Sequence, residues 1–308
     1  MRPTCHQAPD ASQSGAISQS ERLKRAMSHP DRFLLAGVMG SPVMHSRSPM
    51  LHNYWFEQYG LAGSYVPLTI EPSGLPNALR ALHALKFSGC NLTIPHKQEA
   101  MAIVDDVDET ARRIGAISCV IVGPTGKLFG SNNDCYGFIE NVLEFAPTFR
   151  ADAGPVAVIG AGGGARAVVW ALAQRGAKEI RLVNRTLARA QRIEGEFGAP
   201  VVAVPWEERA QALADVVMVA NATSQGMVGM APLDLPLDHL PRGALVTDII
   251  YTPLETPLLK AARLRGNPTL NGLGMLLHQG RPAWKAWFGV EPKVTPELRA
   301  KIEATIAA

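Results

Sequence analysis

Residues 156–176 read VAVIGAGGGARAVVWALAQRG. An apolar run without alternation, a cluster of glycines and an apolar stretch of helical composition follow one another without a break. This is the pattern of a buried strand, a tight turn and a helix. Gly160, Ala161, Gly162, Gly163, Gly164 and Ala165 contain G-x-G-x-x-A. The first glycine permits the turn. The second lets a pyrophosphate approach the backbone, and the small third residue lets helix and strand pack closely. The helix start adds N–H groups and a partial positive charge for phosphate. Alone the pattern is weak, because a glycine-rich structural turn has the same composition. Here the preceding strand, the following helix and a second strand, EIRLVNRT (179–186), are all in place. Together they favour dinucleotide binding.

The end of that second strand bears on which dinucleotide. An NAD site usually has Asp or Glu there, accepting from the ribose hydroxyls. This chain has Asn184, Arg185, Thr186 and Arg189. A guanidinium suits a 2′-phosphate, whereas a carboxylate would repel it. The alternative is that both arginines are ordinary surface charges of a helix. Two of them with no acid favour NADP, and Arg166, in the helix after the glycines, is expected to add a phosphate contact.

Further along, VVAV (201–204), DVVMVANAT (215–223) and ALVTDIIY (244–251) are again non-alternating apolar strands separated by helical stretches. They complete a Rossmann-type, doubly wound unit over residues 137–273. Before it, FLLAGVMG (33–40), SYVPLTI (64–70) and CNLTI (90–94) read as strands. Between them, Ser48 is expected as N-cap with Pro49 at N1 and Gly60 as the stop. Leu75, Leu79, Leu82 and Leu85 keep the spacing of an amphipathic helix. The fold class is therefore α/β with two domains, the first with a mostly parallel sheet. Helices are expected again from Met275 and from Pro296. Residues 1–32 are polar, lack an apolar signal core and read as a flexible extension.

The whole chain limits the function classes. Its 308 residues suit two domains, and 47% apolar with 19% charged residues is a globular composition. A net charge of +3 with no basic cluster gives no argument for nucleic acid. No apolar run approaches the roughly 20 residues of a membrane span. Cys5, Cys90, Cys119 and Cys135 form no C-x-x-C pair, and the histidines have no partners at ligand spacing, so no metal is expected. The chain is expected in the cytoplasm, as a monomer or homodimer acting on a small molecule.

A nicotinamide cofactor moves hydride, and oxidising an alcohol also requires a group that takes the hydroxyl proton. Lys97 stands behind Pro95 at the end of the third strand, where open α/β sheets place their ligands. Asp134, in GSNNDCYG (130–137), lies between the two domains. A Lys–Asp pair in the cleft would serve, although most lysines and aspartates are solvated surface charges.

The chain resembles the shikimate dehydrogenase family, with its quinate dehydrogenase relatives, from Gly37 to about Pro292. The resemblance rests on SRSPMLHN (46–53), NLTIPHK (91–97), GAI (115–117), GSNND (130–134), GAGGGARA (160–167), NRTLAR (184–189), NATSQGM (221–227), DIIYTPLETPLL (248–259) and NGLGMLLHQG (271–280), in that order. It implies that Ser46 and Ser48 bind the substrate carboxylate and that Thr93 binds a hydroxyl. Lys97 and Asp134 are implied as the catalytic pair, Tyr251 and Gln279 as substrate contacts, and Thr223 and Gly272 as cofactor contacts. It also implies that residues 274–308 fold back onto residues 33–136, so that the cofactor domain is an insertion. Shikimate is the first candidate substrate.

Three residues depart from the family pattern beside the substrate. Ser118 stands where the family has an asparagine, Asn133 where it has a threonine and Cys135 where it has a glycine. A site built to hydrogen-bond a hydroxyl discriminates by about 10⁴ or more against a ligand lacking it. Ser118 therefore keeps quinate, an aminoshikimate or a related cyclic hydroxy acid open as substrates. A catalytically weak dinucleotide-binding sensor is the alternative from another class.

Overall fold

The computed structural model describes residues 33–306. The expected extension at 1–32 lies outside them. The first part of the chain forms β1 (Leu34–Gly40), α1 (Ser48–Gln58), β2 (Gly63–Thr69), α2 (Leu75–Ala81), β3 (Phe87–Leu92), β4 (Asp106–Val107), α3 (Glu109–Ile114), β5 (Cys119–Val122) and β6 (Leu128–Ser131). These strands make one sheet in the order β2-β1-β3-β5-β6-β4. β1 pairs in parallel with β2 and β3, and β4 with β6, but β5 is antiparallel to β3 and β6. The antiparallel part is a hairpin turned at Gly123–Lys127, closed by Gly123 N–H donating to the Lys127 carbonyl at 2.8 Å.

After α4 (Asp134–Phe145) come β7 (Val156–Ile159), α5 (Gly163–Gln174), β8 (Ile180–Asn184), α6 (Leu187–Phe197), β9 (Val201–Pro205), β10 (Met218–Asn221), β11 (Leu245–Asp248), α7 (Pro257–Arg265) and β12 (Thr269–Leu270). The second sheet is parallel throughout, in the order β12-β11-β10-β7-β8-β9. The order reverses between β7 and β10, which creates the crevice where such sheets bind ligands. The lack of alternation in β7 is explained by its two cores. Val156 and Val158 pack into one, Ala157 and Ile159 into the other, and all four are fully buried.

The chain ends with α8 (Leu273–Phe288) and α9 (Pro296–Ala304). Trp284 and Phe288 of α8 pack with Trp55 and Phe56 of α1 on one face of the first sheet. Leu75, Leu79 and Leu82 cover the other face. The C-terminal helices thus fold back onto the first sheet. Trp287 is buried there too, its indole N–H donating to the Val120 carbonyl at 3.0 Å.

Helix α4 begins at Asp134 and α8 at Leu273, so the expected divisions after residues 136 and 273 fall inside helices. α4 and α8 pack so closely that a Cβ on Gly274 would lie 1.8 Å from Asn141 Oδ1. Asn141 Nδ2 also donates to the Asn271 carbonyl at 2.8 Å. The two sheets are joined by this packed helix pair.

Three local expectations are corrected. Ser48 is not the N-cap of α1: Arg47 holds that position, and Ser46 Oγ accepts the Ser48 N–H at 3.2 Å. α2 stops at Ala81, and after a run of turns Lys86, with a left-handed φ of 64°, directs the chain into β3. Leu85 is left 59% exposed. β3 ends at Leu92, so Thr93 and Ile94 lie beyond it, in a turn where His96 N–H donates to the Thr93 carbonyl.

Candidate active site

The turn after β3 carries Thr93 and Lys97 to the carboxyl end of the first sheet. Its anchor is His96, fully buried, with Nε2 at 2.7 Å from the Ile70 carbonyl. Asp134 arrives from the other side, in the first turn of α4. Its backbone N–H donates to Asn132 Oδ1 at 3.0 Å, and Asn132 Nδ2 donates to the Ala116 carbonyl at 2.8 Å. Between these anchors Lys97 Nζ donates to Asp134 Oδ2 at 2.6 Å. Asp134 Oδ1 is buried and has no hydrogen-bond partner.

Two cavities meet at this pair. The smaller, about 140 Å³, is lined by Ser46, Ser48, Thr93, Lys97, Ser118, Asp134, Tyr251 and Gln279, with Asn91, His52 and apolar residues. All eight residues expected for substrate and chemistry are thus brought together. The larger, about 1610 Å³, runs between the two sheets past Gly162, Gly163, Gly164 and Gly272 to Arg189. Thr93, Lys97, Asp134, Tyr251 and Gln279 line both. The volumes differ tenfold, so a small ring acid fits the first and a dinucleotide the second.

The glycine turn fits a pyrophosphate. Gly162 and Gly163 face open space where a Cβ would stand. Gly162 precedes α5 with no side-chain cap, so the first-turn N–H groups are left for a ligand. Gly160 needs its missing side chain: its φ is 111°, and a Cβ would lie 3.1 Å from the Ala222 carbonyl. Ala161 lines the large cleft, while Ala165 is fully buried under the helix. A Cβ on Gly272 would lie 2.1 Å from the Ile249 carbonyl, so glycine is required there for packing.

The expected 2′-phosphate residues separate. Arg189 lines the cleft, and Arg192, one turn further along α6, lines it too although the sequence pattern did not single it out. Arg185 and Thr186 are exposed and outside the cleft lining. Asn184 Nδ2 donates to the Thr186 carbonyl at 2.8 Å, which shapes the turn. Thr223 Oγ1 donates to Asn221 Oδ1 at 2.8 Å and holds the following loop. Arg166 lines the large cleft as well, and its Nε donates to the Ile114 carbonyl at the end of α3.

Asn91 was also missed as a cavity residue. It sits on β3 inside NLTIPHK, where its strand position gave no sign of its role. Tyr65 O–H donates to Asn91 Oδ1 at 2.8 Å, and Asn91 Nδ2 donates to the Ser118 carbonyl at 3.0 Å. This fixes the amide at the cavity wall. The residues that depart from the family pattern take different positions. Ser118 lines the cavity, and its Oγ accepts the Asn133 N–H at 2.8 Å. Asn133 is buried but does not line the cavity.

Electrostatics exclude two tempting nucleophiles or bases. Burial, aided by the Asp134 charge, pushes the Cys135 thiol up to about 11, so thiolate is scarce at neutral pH. Burial pushes His52 down to about 3, and its ring stacks on Tyr65 with centroids 4.1 Å apart. It is a neutral packing residue at the cavity wall. Burial likewise pushes the Tyr251 phenol upward, so it stays protonated and able to donate. Among the described residues, no group of three or more His, Cys, Asp or Glu is disposed to hold a metal ion. No helix among them is long and apolar enough to cross a membrane.

Residues 38–120 match the family model described as "Shikimate dehydrogenase substrate binding domain", and residues 147–249 match "Shikimate / quinate 5-dehydrogenase". The chain belongs to the shikimate dehydrogenase family. It is 50% identical over 266 residues to the shikimate dehydrogenase (NADP(+)) of Paramagnetospirillum magneticum, covering 86% of this chain and 96% of that relative. The structure is similar to shikimate 5-dehydrogenase from Thermus thermophilus, solved with NADP(H) and shikimate. The TM-score is 0.79 at 35% identity, covering 89% of this chain and 100% of the other. It is also similar to a quinate dehydrogenase from Corynebacterium glutamicum solved with NAD, with a TM-score of 0.80 at 31% identity, covering 89% and 99%. These solved relatives share the two-domain fold of this chain.

Proposed function

We propose that the chain is an NADP-dependent shikimate dehydrogenase, which reversibly reduces the ring ketone of 3-dehydroshikimate to the 3-hydroxyl of shikimate. The observation that carries this is the Lys97–Asp134 pair, joined at 2.6 Å on the wall shared by the two cavities. The family membership and the NADP(+) named for its curated relative support it. In this reading residues 33–136 with 274–308 hold the ring acid, and residues 137–273 hold the cofactor. The enzyme acts in the cytoplasm as a monomer or homodimer.

Each residue then has a role. Ser46 and Ser48, at the start of α1, hold the substrate carboxylate, with helix N–H groups adding to their hydroxyls. Thr93, Ser118, Tyr251 and Gln279 bond the ring hydroxyls. Gly160 to Ala165 admit the pyrophosphate, with Thr223 and Gly272 nearby, and Arg189 takes the 2′-phosphate. NADPH, when bound, supplies the hydride. Lys97 gives the carbonyl oxygen its proton during reduction and takes it back during oxidation. Asp134 orients the ammonium through Oδ2 and offers Oδ1 to the same substrate hydroxyl. Such acid–base assistance is typically worth about 10²–10⁴ in rate.

Quinate is the second reading, which Ser118 keeps open. Its oxygen already accepts the Asn133 N–H, so its own O–H is the one donor its side chain presents to a ring. Purified protein with NADP and a panel of shikimate, quinate and aminoshikimate, followed by nicotinamide absorbance, decides between them. Turnover is expected on shikimate. Turnover on quinate alone would replace shikimate as the substrate, and NADP binding without turnover on any would favour a sensor.

A further inference from the structure

Arg166 is nine-tenths buried at the wall of the large cleft, yet every partner its cation has lies on α3 or α6. It stands in the first turn of α5, directly after the glycine loop. Its Nε donates to the Ile114 carbonyl, and its Nη2 lies 3.5 Å from the Arg113 carbonyl, both at the C-terminal end of α3. The same Nη2 pairs with Glu196 Oε2 of α6 at 2.5 Å, and the guanidinium lies 5.2 Å from the Phe197 ring centroid. One side chain of the cofactor half therefore closes the unsatisfied carbonyls of a helix in the substrate half. Its charge is balanced within its own half.

The segment just past the end of α3 connects this contact to the chemistry. Ile117 N–H donates to the Lys97 carbonyl at 2.7 Å. The Ala116 carbonyl accepts from Asn132, whose Oδ1 in turn accepts the Asp134 N–H. Residues 114–117 are thus bonded to Lys97 directly and to Asp134 through the Asn132 amide. The other end of the same short segment is bonded to Arg166.

We propose that Arg166 is a positioning residue that fixes the glycine helix relative to Lys97 and Asp134, and so sets the approach of cofactor to substrate. This rests on the dehydrogenase reading above. Misplacement of reacting groups by about 1 Å can cost around 10²-fold in rate. Loss of Arg166 therefore lowers the rate of the chemical step while the glycine turn and the other arginines of the cleft stay in place.

The test measures kcat, the KM for shikimate, the Kd for NADP and the isotope effect with shikimate deuterated at the carbon that bears the 3-hydroxyl. Arg166→Gln is expected to lower kcat about 10- to 100-fold. The KM for shikimate and the Kd for NADP should stay within about threefold, and the isotope effect should rise because hydride transfer becomes more rate-limiting. Arg166→Lys keeps a cation and one donor for the Ile114 carbonyl, so it serves if the glutamine variant does not fold. It is expected to show a smaller fall in kcat with the same rise in isotope effect. A weakening of NADP binding by tenfold or more at unchanged saturated rate would make Arg166 a phosphate ligand and overturn the proposal. Wild-type kcat and isotope effect in Arg166→Lys would also overturn it. A wild-type protein with no turnover on any ring acid would overturn the dehydrogenase reading itself, and the positioning role with it.

Discussion

Lys97 and Asp134 divide their contacts in a telling way. The lysine side chain is 26% exposed and the aspartate 3%, so the ion pair is sunk on one side and open to the cavities on the other. Asp134→Asn keeps the shape of the buried partner but loses its charge. It is expected to lower kcat by about 10²–10⁴ while NADP affinity is retained, as read by steady-state kinetics and calorimetric titration. Unchanged kcat would remove Asp134 from the chemistry. A second buried carboxylate carries a stability signature. Burial raises Asp248 from 3.8 to about 6, outweighing the hydrogen bonds it accepts from Asn221, Ile250 and Thr256. The folded chain binds this proton more tightly than the unfolded one. Its contribution is therefore fully present below pH 3.8 and is lost as pH rises through about 6. Between pH 4 and pH 7 the stability of wild type relative to Asp248→Asn is expected to fall by about 1–3 kcal/mol, measured from urea midpoints at each pH. A gap that does not change with pH would show that the carboxyl is not raised. At this scale the sequence was most legible where residues sit in a dense motif. Lys97 and Asp134 were named, while Asn91 and Arg192 were not. Their roles depend on which way a strand or helix face turns, and that orientation is set by tertiary packing.

Helix α8 shows what element-level reading can reach. The glycines at 272 and 274 are visible in NGLGMLLHQG, but composition alone does not say what approaches them. The structure answers that Asn141 of α4 lies against Gly274, and that the Asn141 amide bonds the Asn271 carbonyl at the start of α8. A methyl group there must displace a buried amide or part the helices. Gly274→Ala is expected to cost about 1–3 kcal/mol of stability, read as a lowered urea midpoint, since overpacking carries that order of penalty. It should also lower activity, because α4 starts at Asp134 and α8 carries Gln279. A variant as stable and active as wild type would mean that the helix contact yields freely. Other elements were legible for identifiable reasons. The strands of the second sheet announced themselves by continuous apolar runs, since both faces are covered. The hairpin of β5 and β6 is hard to see in the sequence, because each strand is only four residues long and shows no clear alternation. The shortened α2 went unread because Leu85 keeps the helical period by position alone, although the helix has already ended and Lys86 redirects the chain.

At the scale of the whole molecule, the two halves are joined by α4 and α8 and touch again through Arg166, with the large cleft between. Arg112, Arg113, Arg189 and Arg192 line that cleft against Glu109 and Glu196. A chain of only +3 net charge thus concentrates cations where a dinucleotide phosphate would lie. NADP carries a 2′-phosphate that NAD lacks, and charge-assisted bonds to a guanidinium are worth about 1.5–3 kcal/mol each. One such bond corresponds to roughly 10- to 100-fold in affinity. A ligand that binds only the folded chain stabilises it by about 2.7 kcal/mol at a hundred times its Kd. For a chain of this size that is a rise in Tm of a few degrees, at about 2 °C or less per kcal/mol. NADP is therefore expected to raise the Tm by about 5 °C at a concentration where NAD raises it by about 1–3 °C. Arg189→Ala should bring the two shifts together by lowering the NADP shift alone, and added salt should do the same in wild type, since exposed charge pairs are screened. Thermal unfolding of both proteins with each nucleotide, at low and high salt, reads all four comparisons. A larger shift with NAD than with NADP in wild type would mean that the arginines of α6 face a different ligand.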